Sequence, residues 1–150
     1  MRIHEVMSGP VVTVTPYLPA EDAWQLMKTR GIRHLVVKEE SKVVGVLSDS
    51  DAGGPSGSLV RRSAFVADLM DRHVVCLTRD DTVRSAANLM LGRNIGCVPI
   101  VHREKLVGIV TISDMLRVIG GGADRPSHEK RAALHHRVPH RRAAAPSGRW

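Results

Sequence analysis

The sequence predicts a mixed α/β (α+β) protein in which two βαββα repeats pack on each other with pseudo-twofold symmetry, followed by a disordered basic C-terminal tail. Three observations predict it. Sliding the chain over itself by 63 positions aligns Met7 with Met70, Val12 with Val75, Thr15 with Thr78, Ala23 with Ala86, Met27 with Met90, Ile32 with Ile95, Lys42 with Lys105, Val44 with Val107, Gly45 with Gly108 and Asp51 with Asp114, without a gap. Each copy alternates short β-branched runs with one stretch of helical spacing. Past Gly122 the chain turns to Pro126, Pro139, Pro146, scattered arginines and four histidines, with too little apolar material to order itself. Two copies are too few for an open solenoid, so each is expected to cover the other. The expected boundaries are residues 1–60 for the first repeat, 61–120 for the second and 121–150 for the tail.

Taken in order, Val11 to Thr15 is a β-branched run closed by Pro16 and reads as a strand. Pro19 suits a first helical turn and Glu21 and Asp22 favour its positive end. Ala20, Ala23, Trp24 and Met27 then form an apolar stripe that Gly31 terminates. His34 to Lys38 and Lys42 to Ser48 read as two strands joined by the polar turn Glu39 to Ser41. Asp49, Ser50 and Asp51 are all capable helix caps, but Gly53, Gly54, Pro55 and Gly57 cut such a helix short.

A linker from Gly53 to Ala64 and a short helix at Val66 to Met70 lead into the second copy. There, Val74 to Leu77 is a strand, and Asp80 or Asp81 caps a helix that runs to about Leu91 and exits through Gly92 to Asn94. Gly96 to Val101 is a strand interrupted by Pro99, a residue that cannot donate to a ladder and so belongs at an edge or a bend. Lys105 to Ile112 is the long apolar strand, and Ser113 opens a helix that Gly120 to Gly122 stop.

Composition bounds the function. A 43% hydrophobic fraction over 150 residues supports a buried core. No apolar run reaches the roughly 18 to 20 residues needed to span a bilayer, and Met1 to Glu5 lacks a signal-peptide apolar region, which points to a cytoplasmic protein with no membrane role. Of the net charge of +7, the stretch from Gly121 onward carries +5. Attraction to nucleic acid therefore belongs weakly to the tail, and without interleaved aromatics it is electrostatic. Cys76 and Cys97 sit in apolar surroundings and read as small hydrophobes. Trp24, Met27 and Met90 read as core, and His34 and His73 as ordinary strand or turn histidines. The tail cluster Leu134 to His140 lacks the spacing of a structural zinc site, so no metal is expected.

Chemistry concentrates in the repeated ending, Gly45 to Asp51 and Gly108 to Asp114. A glycine permits close packing, apolar residues form a wall, and a Ser or Thr three positions before an Asp brings two polar groups to a strand-to-helix corner. There the Asp carboxylate can accept ribose hydroxyls, and a helix start offers free N–H groups and a positive dipole end to a phosphate. The competing explanation is plain capping, worth about 1 kcal/mol per residue.

These endings, the Met7 and Met70 starts and the segment Ile95 to Ile100 together resemble a tandem pair of cystathionine-β-synthase (CBS) domains over about residues 1 to 119. The resemblance implies binding of an adenine nucleotide or adenosyl ligand: AMP, ADP, ATP or S-adenosylmethionine. Carried over by residue, Thr111, Ser113 and Asp114 form one polar set, and Ser48, Ser50 and Asp51 the other. Cys97, Val98 and Pro99, or His34, Leu35 and Val36, supply the strand that reads the adenine edge. The second set keeps the family's proline at Pro99, whereas the first has Val36, so the Thr111 set is expected to bind better and an Asp114 change to do the greater damage. The resemblance further implies a homodimer through the repeats and a separate regulated protein, with no required cofactor. No Gly-x-Ser-x-Gly, Walker or HExxH motif occurs, so the chain reads as a non-enzyme. The alternative is a dimeric scaffold whose basic tail contacts nucleic acid or an acidic partner.

Overall fold

The computed structural model describes residues 1–121. The tail assigned to 121–150, with its histidine cluster, lies from residue 122 onward outside the described residues. Eleven elements follow one another: β1 (Thr13–Val14), α1 (Ala20–Arg30), β2 (His34–Glu39), β3 (Lys42–Ser48), α2 (Ser58–Arg61), α3 (Val66–Leu69), β4 (Leu77–Thr78), α4 (Val83–Arg93), β5 (Cys97–His102), β6 (Lys105–Thr111) and α5 (Ile112–Gly120), after a 3-10 turn at Ile3–Glu5. They build two three-stranded sheets, β1-β2-β3 and β4-β5-β6. In each, the first strand is parallel and the third antiparallel to the central one. None of the described helices is long and apolar enough to cross a membrane.

Local chemistry accounts for the element ends. Pro19 is the N-cap of α1 and Gly31, at φ 63°, its left-handed C-cap. In the second copy Thr82, not Asp80 or Asp81, caps α4 by accepting the Ser85 N–H, while Gly92 stays inside the helix and Asn94, at φ 53°, ends it. Asparagine tolerates that conformation because its short side chain bonds locally. β1 and β4 are each only two residues long, shorter than the runs Val11 to Thr15 and Val74 to Leu77 suggest. Of the edge or bend expected for Pro99, the edge is corrected, because β5 is the central strand of its sheet. β4 pairs with β5 only from Ile100 onward, just past the ring.

The apolar faces of the two sheets gather separate cores, and each takes a segment from the other copy. Val14, Trp24, Met27, Leu35, Val37 and Leu47 pack with Val66 and Met70, which precede the second sheet. Met90, Val98, Ile100, Val110 and Met115 pack with Ile3, which precedes the first. Each such side chain contributes roughly 1.5–3 kcal/mol when fully buried. Backbone bonds follow the same exchange. Ser8 and Ile109 exchange N–H···O bonds of 2.9 and 3.0 Å, as do Asp71 and Val46. Gly108 lies beneath Met7 and Gly45 beneath Met70, so close that an added Cβ would meet the methionine sulfur at 2.7 and 2.5 Å.

The copies diverge after the third strand. β6 runs directly into α5, whereas Ser48 leads into turns at Asp49 to Gly53 and the helix foreseen there is absent. Arg61, only 3% exposed, holds that replacement loop. It bonds the Ala52 and Gly54 carbonyls at 2.8 and 2.7 Å, pairs with Glu21 at 2.7 Å and lies 4.3 Å over the Trp24 ring.

Candidate functional site

Both repeated endings form the same reciprocal bond pair. Ser48 N–H donates to Asp51 Oδ2 at 3.1 Å while Asp51 N–H donates to Ser48 Oγ at 3.0 Å. Thr111 N–H donates to Asp114 Oδ2 at 2.8 Å, and Asp114 N–H to Thr111 Oγ1 at 3.3 Å. What surrounds the carboxylates differs. Asp114 is 4% exposed, and its Oδ1 also accepts the Ser8 hydroxyl at 3.1 Å and Arg117 Nη1 at 2.8 Å. Asp51 is exposed, and among the described residues no donor reaches its Oδ1. The shift of 63 explains this: Ser8 corresponds to Asp71, an acid with no proton to give, and Arg117 to Gly54.

Asp51 faces an open cleft with a cavity volume of about 140 Å3. Both copies line it. His34, Val46, Ser48 and Asp51 come from the first, and Asp71 to Val75 except Arg72, with Asn94 to Cys97 and Pro99, from the second. His34 opens β2 opposite Ser48, which sets its imidazole beside the corner. Gly96 makes room for it, since a Cβ there would stand 3.0 Å from His34 Nε2.

The cleft also exposes a backbone acceptor. In the first copy the Val36 N–H donates to the Val12 carbonyl at 3.3 Å. Pro99 occupies the matching place and has no N–H, so among the described residues nothing donates to the Val75 carbonyl, which belongs to a lining residue. Burial lowers the His34 pKa, against the raising effect of Asp49 and Asp51, and Arg33 lowers it further. Burial, with Asp51 adding to it, pushes the Cys97 thiol up to about 12. At neutral pH the wall is therefore a neutral imidazole and an undissociated thiol, poor equipment for nucleophilic attack.

Of the residues singled out from sequence, the fold brings together His34, Ser48, Asp51, Cys97 and Pro99 at this cleft. Leu35, Val36 and Val98 are fully buried, and Ser50, exposed beside them, does not line it. Thr111, Ser113 and Asp114 stand at the other corner, with Ser113 exposed. Asp71, His73, Val74 and Val75 were invisible to motif reading. Their only signal is position, because they follow Met70 as Ser8 to Val12 follow Met7.

The CBS domain family matches residues 3–52 and 66–121. Among curated proteins, the chain is similar to an inosine-5′-monophosphate dehydrogenase of Methanocaldococcus jannaschii, with 33% identity over 118 residues, 77% of this chain and 23% of the dehydrogenase. It is also similar to the CBS domain-containing protein YhcV of Bacillus subtilis, 29% identical over 114 residues that cover 75% of this chain and 81% of YhcV. The chain thus spans about a quarter of the length of enzymes such as the dehydrogenase. Among solved structures it resembles the CBS domain pair of protein MJ0100 in complex with 5′-methylthioadenosine and S-adenosyl-L-methionine. The TM-score is 0.73 at 28% identity, over 81% of this chain and 97% of that one.

Proposed function

Because the chain belongs to the CBS domain family, as a tandem pair of repeats, we propose that it is a non-catalytic regulatory module that binds an adenine nucleotide or adenosyl ligand in the cleft at Ser48 and Asp51. The observation that carries this reading is the Asp51 carboxylate, with one oxygen free of donors among the described residues at the edge of a cleft built from both copies. Ribose hydroxyls donate to Asp51, and the base lies among Val46, Val74, Ile95 and Pro99. The Val75 carbonyl accepts from the base's exocyclic amino group. The adenosyl compounds bound by the MJ0100 pair support this ligand class.

Occupancy is one ligand per chain, because Asp114 can receive a ribose only by giving up Ser8 or Arg117. Since the lining comes from both copies, the ligand shifts their packing through its differential affinity for two arrangements. The chain acts as a homodimer, supported by the exposed apolar side chains of Leu91, Ile112, Leu116 and Ile119, and it conveys ligand state to a separate regulated protein.

Isothermal titration with AMP, ADP, ATP and S-adenosylmethionine tests the reading. Saturable heat with one site per chain is expected, lost in Asp51→Ala and kept in Asp114→Ala. Absence of heat from all four, at protein concentrations well above micromolar, removes the ligand reading and leaves the fold untouched.

A further inference from the structure

The two corners differ in charge, and the difference lies outside the repeated motif. At the open cleft the charged lining residues are Asp51 and Asp71, joined by the imidazoles of His34 and His73. No Lys or Arg is among the described lining residues. Just outside the lining, Asp49 and Arg33 both stand close enough to act on His34, and their charges offset. His73, when protonated, pairs with Asp71 at 3.6 Å, so its charge is met within the protein. The corner also lacks the helix start that would hold a phosphate, for turns follow Ser48 where α5 follows Thr111.

At the matching places of the other copy, Asp71 becomes Ser8 and Gly54 becomes Arg117. Both changes make the Asp51 end more negative or less positive than its counterpart. Resting on the adenosyl reading above, we infer that the Asp51 cleft selects adenosyl compounds with a cationic, phosphate-free 5′ substituent, such as a sulfonium, and disfavours AMP, ADP and ATP. The apolar lining of Val46, Val74 and Ile95 takes the base in either case, so the discrimination resides in the carboxylates. Charge complementarity of this kind sets specificity more than total affinity.

Competition titrations on the full chain test it, because displacement of a ligand already in the cleft registers only that cleft and not contacts with the basic tail. The probes are S-adenosylmethionine, S-adenosylhomocysteine (the same skeleton without the sulfonium charge), 5′-methylthioadenosine and AMP. S-adenosylmethionine is expected to bind more tightly than S-adenosylhomocysteine, and about ten-fold or more above AMP at low salt, with the gap narrowing as ionic strength rises. Asp71→Asn, checked for an unchanged melting curve, is expected to shrink that gap several-fold.

Two failures are distinguishable. If 5′-methylthioadenosine binds but AMP equals or exceeds S-adenosylmethionine, the charge selection is overturned and the adenosyl reading survives. If no probe binds, the adenosyl reading itself goes, and this inference with it. An Asp71→Asn variant with an unaltered ratio overturns the assignment of selection to Asp71.

Discussion

The corner at Ser48 and the corner at Thr111 share a hydroxyl, an aspartate three residues on and the same pair of reciprocal bonds, yet one carboxylate is exposed and the other is saturated. The motif by itself does not decide between them. The decision falls to residues outside both motifs, Ser8 against Asp71 in the exchanged leaders and Arg117 against Gly54. A duplicated motif thus stands in two states in one chain: as a structural joint where its acceptors are filled from within, and, where they are not, as the receptor proposed above.

Removing each carboxylate separates the two uses. Asp114→Ala strips the partners from Ser8, Arg117 and the Thr111 N–H, and is expected to lower stability by about 2–3 kcal/mol in urea melts. A loss below about 1 kcal/mol would show those groups to be satisfied by water. Asp51→Ala is expected to weaken ligand binding at least about ten-fold, equal to 1.4 kcal/mol. Its stability cost stays near the roughly 1 kcal/mol of a lost exposed hydrogen bond. An equal or greater stability loss at Asp51 would erase the contrast.

The comparison can also be inverted. The double variant Ser8→Ala with Arg117→Ala frees Asp114 at a cost of about 1 kcal/mol, since Arg117 is mostly exposed. Titration stoichiometry is then expected to rise from one ligand per chain toward two. A value fixed at one would mean that more than these two donors closes the corner.

The smallest effect is a pH dependence. The pKa of His34 in the folded protein lies below its ordinary value, so the unfolded chain binds the proton more readily. The favourable neutral state is fully present above about pH 6.5 and is lost as pH falls below it. His34→Gln is expected to flatten the decline in stability between pH 7.5 and 5.5 by under about 1 kcal/mol, discounted for solvent screening. Parallel melts of both proteins at the two pH values measure it, and identical slopes would contradict it.

Much of the architecture was legible because the repeat makes each assignment twice. β3 was bounded correctly at Lys42 and Ser48 by its apolar run, and α1 by Pro19 and Gly31. The hairpins were harder to read. Glu40, Ser41, Arg103 and Glu104 all adopt positive φ without a glycine or asparagine to announce it, because the strand pairs on either side impose the turn. Regularity of the motif ranked the Thr111 corner first for binding, and in the structure that is the corner whose carboxylate is filled by protein donors. Sequence periodicity also could not tell which copy Met7 and Met70 cover, since a leader packed on its own repeat and one packed on the other produce the same offset.

That exchange bears on how the chain acquires its structure during synthesis, when N-terminal segments leave the ribosome first. The first sheet can close its core once Val66 and Met70 have emerged, soon after its own strands. Ile3, Met7 and Ser8 must wait for β6, about a hundred residues later, before their docking place exists. The earliest part of the chain is thus among the last to be fixed, and a peptide fused ahead of Ile3 would burden the far repeat and not the adjacent one.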